Sequence, residues 1–200
     1  MPKVSEEHRA KRRQQILRAA MKRFGEGGLH STSMADVIAE SGLSAGAVYL
    51  YFKSKDELIA AVAQEVLGGV IARVESLRDA PVPASPGELV CALLDRATSK
   101  HQPSPISSLP LLMSVWSEVT RSDAVLRIAE GWITRLRDTI TDVVRRWGEH
   151  REMPVDADRL APLIMAMVQG YLLQMVIGTA PPVTEYQESA WAMLTAAGLT

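Results

Sequence analysis

The sequence predicts an all-α chain, and three observations carry that expectation. Apolar residues recur at spacings of three and four through most of the 200 positions, and no stretch alternates apolar with polar residues as a strand does. Hydrophobic residues make up 47% but aromatics only 5%, so the apolar content is mainly Ala, Leu, Val and Met, which suit helices better than a β-sandwich. Clusters of Gly, Pro and Ser separate the periodic segments. The expected architecture is an N-terminal group of three helices over residues 1–55 and a C-terminal helical body over 56–200.

The elements follow in order. Ile16, Leu17, Ala20, Met21 and Phe24 give an amphipathic first helix from about Glu6 to Gly25, closed by Gly25, Gly27 and Gly28. Ser33-Met-Ala-Asp36 resembles a capping box with Asp in place of Glu or Gln, and Val37 and Ile38 supply the buried face of a short second helix. Ser41-Gly42-Leu43 makes a turn, and Ser44 caps a third helix ending near Phe52. Ser54 or Lys55 opens a fourth, with Asp56 and Glu57 at its positive end and a stripe of Leu58, Ile59, Val62, Val66 and Val70. Gly68-Gly69 inside it is expected to be a soft point, since Gly costs a helix interior stability.

Further helices are expected from Glu88 to Ser99, after the connector Ala80–Gly87, and from Leu111 to Thr120, after the Pro-rich stretch Gln102–Pro110. Ala129, Trp132, Ile133, Leu136, Ile140, Val143, Val144 and Trp147 define a long amphipathic helix. Another runs from about Asp156 to Ile177. The last starts near Thr184, with Gln187 completing a capping-box pattern, and ends before Gly198.

Charge divides the chain. Residues 1–55 hold ten Lys and Arg against five acids, a balance of +5, whereas the rest holds twelve against eighteen, or −6. A basic end on an acidic body suits a module that grips a polyanion. The two short helices about Gly42, behind a basic helix, have the outline of a helix-turn-helix. Ser33 and Ser44 place helix starts where N–H groups can face phosphates, and Tyr49, Tyr51, Lys53 and Lys55 follow as donors. Tyr49 has two readings, a core residue or a DNA contact.

The wording is closer still. Ile16-Leu-x-x-Ala-x-x-x-Phe24, followed by Gly42-Leu-Ser-Ala-Gly-Ala-Val-Tyr-Leu-Tyr-Phe52-Lys-Ser-Lys-Asp-Glu-Leu58, resembles the DNA-binding signature of the TetR family over about residues 10–60. The resemblance implies a cytoplasmic homodimeric regulator of transcription, most often a repressor, released from double-stranded, pseudo-palindromic operator DNA by a small ligand. An activator or ligand-independent regulator would share that fold. Carried over by position, the DNA contacts are Ser33, Met34 and Ala35 at the second helix's start, with Ser44, Ala45, Gly46, Ala47, Tyr49, Leu50, Tyr51 and Lys55 on and around the third. The basic run Lys11-Arg12-Arg13 is a further candidate for backbone or minor-groove contact. Ala45-Gly46-Ala47 offers base edges no side-chain hydrogen bond.

Met113, Trp116, Trp132, Met165, Met167, Tyr171 and Met175 are candidates for lining a lipophilic pocket, and equally for plain core or dimer interface. Leu160–Thr184 has no charged residue and is long enough to span a bilayer, but Pro162, Gln169, Gly170 and Gln174 favour a helix buried in a bundle or dimer. His8, His30, His101 and His150 lie too far apart to suggest a metal site, and Cys91 alone makes no internal disulfide. Met1–Arg13 has no signal-peptide-like apolar core, so export is not expected. Gly25-Glu-Gly-Gly28 lacks the Lys and Ser/Thr of a phosphate loop, and no catalytic cluster is evident. Neither enzymatic activity nor a cofactor is expected; a helical lipid-binding module is the remaining alternative.

Overall fold

The first helix ends at Gly27, where Gly28 takes a left-handed backbone at φ +83°, and two short helices follow before a long one. The computed structural model describes residues 6–98 and 109–200; the Pro-rich stretch from Gln102 lies almost wholly outside them. Among these residues the elements are α1 (Glu6–Gly27), α2 (Met34–Ser41), α3 (Ala45–Tyr51), α4 (Lys55–Arg78), α5 (Pro86–Thr98), α6 (Leu109–Glu118), α7 (Asp123–His150), α8 (Ala157–Ile177) and α9 (Val183–Ala196). The described residues contain no strand.

Two compact units emerge. The first comprises Met1–Val66 with Pro110–Ala129, and the second Leu67–Leu109 with Glu130–Thr200. The cut between these units falls inside α4, after Val66. Leu58, Val62, Ala63 and Val66 are wholly buried, so the first half of α4 belongs to the first unit's core with Ile16, Leu17, Phe24, Val37, Val48 and Phe52. The second unit gathers Leu89, Val90 and Leu94 of α5, Ile140, Val143, Val144 and Trp147 of α7, Ala161 and Ile164 of α8, and Leu194 of α9. Burying such side chains stabilises by about 1.5–3 kcal/mol each, before entropy is charged against it.

Capping decides where the helices begin. At α2, the Ser33 hydroxyl oxygen accepts from the Asp36 N–H at 3.2 Å while the Asp36 carboxylate accepts from the Ser33 N–H at 2.7 Å, a complete capping box. Asp serves as well as Glu here because both groups lie within one turn. The same reciprocal pair forms between Ser85 and Glu88, so α5 starts at Pro86, two residues before the sequence suggested. At α9 the expectation fails. The helix begins at Val183 with Pro182 in the cap position and no side-chain cap. Gln187 is drawn away instead, its amide donating to the Cys91 carbonyl at 3.2 Å and the Asp95 carboxylate at 2.7 Å on α5. α1 also runs past Gly25 to Gly27, ending where Gly28 turns to φ +83°.

The glycine pair in α4 lies within one uninterrupted helix. A methyl group placed on Gly68 would meet nothing, so close packing does not require glycine there. The indole N–H of Trp132 on α7 donates to the Leu67 carbonyl immediately before it.

Candidate nucleic-acid interface

The helix-turn-helix is held together by its turn. Gly42 closes α2 in the left-handed region at φ +66°, where its N–H reaches the Ala39 carbonyl at 3.3 Å. The Gln15 side chain of α1 donates to the Ser41 carbonyl at 2.8 Å, pinning the end of α2. Ser44 then caps α3, its hydroxyl accepting from the Ala47 N–H at 3.3 Å.

Packing gives α3 two faces. Val48 and Phe52, one turn apart, are buried in the first unit. Ala45, Gly46, Tyr49 and Leu50 point away from that core. Leu50 is 73% exposed and Tyr49 46%, so Tyr49 is not the core residue that one of its two readings made it. A seven-residue helix that spends large apolar side chains on solvent presents a surface meant for another molecule. Ala47 and Tyr51 are half-buried at the edges of this face.

The structure engages several expected contacts within the protein. Both Ser33 donors, N–H and hydroxyl, go to Asp36. These two bonds, the backbone one foremost, hold the Asp36 carboxyl below the usual carboxylate range. Met34 and Ala35 remain at the leading turn of α2. Lys55 donates to the His30 carbonyl at 3.0 Å, which anchors its ammonium between the α1–α2 loop and the start of α4. The basic run of α1 disperses. Lys11 pairs with Glu7 at 2.7 Å, and Arg12 donates to Gln15 at 3.1 Å. Only Arg13 reaches the reading helix, its guanidinium stacked 5.3 Å over the ring of Phe52 at the end of α3. Sequence reasoning had no signal for that stacking, because the two residues meet only through the fold.

An open groove of about 820 Å³ between α1 and α2 was also not foreseen; Lys11, Arg18, Lys22 and Glu40 line it, with Lys22 and Glu40 paired at 2.7 Å. The pocket candidates divide between the units. Met113 and Trp116 sit half-buried on α6 in the first, while Trp132, Met165, Met167, Tyr171 and Met175 belong to the second. Tyr171 is buried and donates to the Pro181 carbonyl at 3.0 Å; its ring lies 4.7 Å from that of Tyr186, whose hydroxyl donates to the Met167 carbonyl at 2.9 Å. Burial raises both phenol pKa values.

Comparison with known proteins agrees with this geometry. Residues 16–62 match the model of bacterial regulatory proteins of the tetR family, and residues 86–197 that of the C-terminal part of BetI-type transcriptional repressors. The chain is 28% identical to the HTH-type transcriptional regulator BetI of Rhizobium meliloti, over 90% of this chain and 85% of that one. Its fold matches Salmonella enterica GusR with a TM-score of 0.76 at 22% identity, covering 98% of both chains. The structure of a SmeT–triclosan complex matches with a TM-score of 0.75 at 20% identity, covering 94% of this chain and 91% of that one. The chain thus belongs to the tetR family, with a C-terminal part of the BetI type, and is a DNA-binding transcriptional repressor rather than an enzyme.

Proposed function

We propose that two copies of this chain, paired through α8 and α9, repress transcription by gripping pseudo-palindromic double-stranded operator DNA in the cytoplasm, and that a small, largely apolar effector releases them. The observation that carries the dimer is the solvent face of the last two helices. Leu163, Leu173, Val176 and Ile177 of α8 are 60%, 50%, 44% and 64% exposed, and Trp191 and Met193 of α9 are 40% and 56% exposed. Side chains this apolar gathered on neighbouring elements are unfavourable in water and favour a covering partner. By length and composition α8, alone among the described helices, would satisfy a membrane span, yet it follows a DNA-binding module, and a second copy supplies cover without a bilayer.

A two-fold pair would present two α3 helices to successive major grooves, about 34 Å apart. Residues 1–55 would grip DNA, with Tyr51, Lys55 and Arg13 on phosphates and α3 in the groove. Residues 56–200 would pair and take the effector, with Trp132, Met167, Tyr171 and Met175 of the second unit as candidate lining. The triclosan held by SmeT supports a lipophilic ligand for a protein of this fold.

The test is selection of bound fragments from the source genome at two salt concentrations, with sedimentation of the same preparation. A dimer retaining fragments with an inverted repeat, and lower transcription from a reporter carrying them, is the expected result. A monomer that binds tightly, or a reporter that is switched on, would overturn the dimer or the repressor respectively.

A further inference from the structure

Glu118, the last residue of α6, is the one charged side chain among the described residues that is buried, at 7% exposure. A carboxylate taken out of water needs a cationic or donor partner. The Glu118 Oε2 lies 3.1 Å from Nε2 of His30, in the loop between α1 and α2. That oxygen is buried and makes no aligned hydrogen bond, although the His30 ring nitrogen is within reach of it. The same His30 Nε2 is 3.4 Å from the Arg121 guanidinium, just beyond α6. On the other side of the residue, the His30 carbonyl accepts from the Lys55 ammonium at the start of α4.

These contacts run in one line. The charged groups on His30 are Glu118 of α6, Arg121 of the following turn and Lys55 of α4. Glu118 and Arg121 meet the same ring nitrogen, so the end of α6 and the turn after it hold the imidazole between a carboxylate and a guanidinium.

We propose that Glu118 is a positioning residue for DNA binding: through the His30 imidazole it fixes the α1–α2 loop, whose carbonyl in turn aims the Lys55 ammonium. The role rests on the DNA-gripping function above and adds to it a path by which the end of α6 sets the grip.

The experiment uses the full-length chain and the genomic fragment it selects. Glu118→Gln keeps the shape and removes the charge; it should weaken binding by roughly three- to tenfold. It should also flatten the salt dependence of binding as Lys55→Ala does, since the Lys55 contact with phosphate is what it disturbs. His30→Gln, at a residue whose side chain is 60% exposed, should give the same loss and serves if the buried substitution fails to fold. In the pair of substitutions the losses should not add, and neither should add to Lys55→Ala. Variants that bind the fragment as the wild type does, with its salt dependence, overturn the proposal. So does a Glu118→Gln protein that melts earlier while keeping the wild-type salt dependence. A wild-type chain that retains no fragment overturns the DNA-gripping function instead, which separates the two failures.

Discussion

At Gly46 a Cβ would meet nothing within 4 Å, so the protein itself has room for a side chain on this exposed face of α3. Any penalty for filling that position must then come from DNA. With Ala45 and Ala47 beside it, the helix backbone can settle deep in the major groove, where Ala methyls and Leu50 touch thymine methyls. Gly46→Val is expected to leave folding and dimerisation intact and to weaken specific binding by at least roughly tenfold, with little change on random DNA. Titrating the variant against operator and random fragments checks this. Operator affinity equal to wild type would mean that the helix does not approach so closely.

Among the elements, α2 is eight residues long, too short to form by propensity alone, and depends on its capping box. Ser33→Ala removes one half of the capping box and should cost about 1 kcal/mol of unfolding free energy. The Asp36 half carries a pH signature. Its pKa is lowered on folding, so its stabilisation is present above the ordinary carboxylate pKa and is lost as pH falls through the depressed value. Asp36→Asn should therefore flatten the acid limb of a stability–pH curve measured by chemical denaturation, and an unaltered limb would count against the cap. In α4 the expectation differs in sign. Gly68→Ala fits without contact and should raise stability by roughly 0.5–1 kcal/mol while operator binding stays as it is. Release by an effector should weaken if the softness of that helix is used; unchanged release would assign the glycine no role there.

At the scale of the whole molecule, the apolar face of α8 and α9 is where assembly should be decided. Leu173→Glu places a charge at its middle on a residue that is already half-exposed, so the folded protomer should tolerate it. The pair should dissociate toward monomer in sedimentation at micromolar concentration, and operator binding should fall with it, since each reading head then binds alone. A variant that remains dimeric would move the interface elsewhere on the chain.

Periodicity and punctuation alone determined the helices, because the 3.6-residue repeat and the Ser, Asp, Gly and Pro signals at helix ends act over a few residues. α7 is legible from its stripe, α2 from Ser33 and Asp36, and the reading helix from the run Gly42–Leu58. Local chemistry misled at α9: the helix opens at Val183 behind Pro182, which has no N–H to donate to a capping side chain, and Gln187 falls past the first turn. Its amide donates instead to the Asp95 carboxylate and the Cys91 carbonyl on α5. The tertiary structure alone decided that Tyr49 faces outward, that Arg13 stacks on Phe52, and that half of α4 and all of Pro110–Ala129 join the first unit. It alone brought Glu118 to His30, across a sequence separation that no periodicity spans. Burial and charge pairing act on distances in space, and only the packed chain sets those.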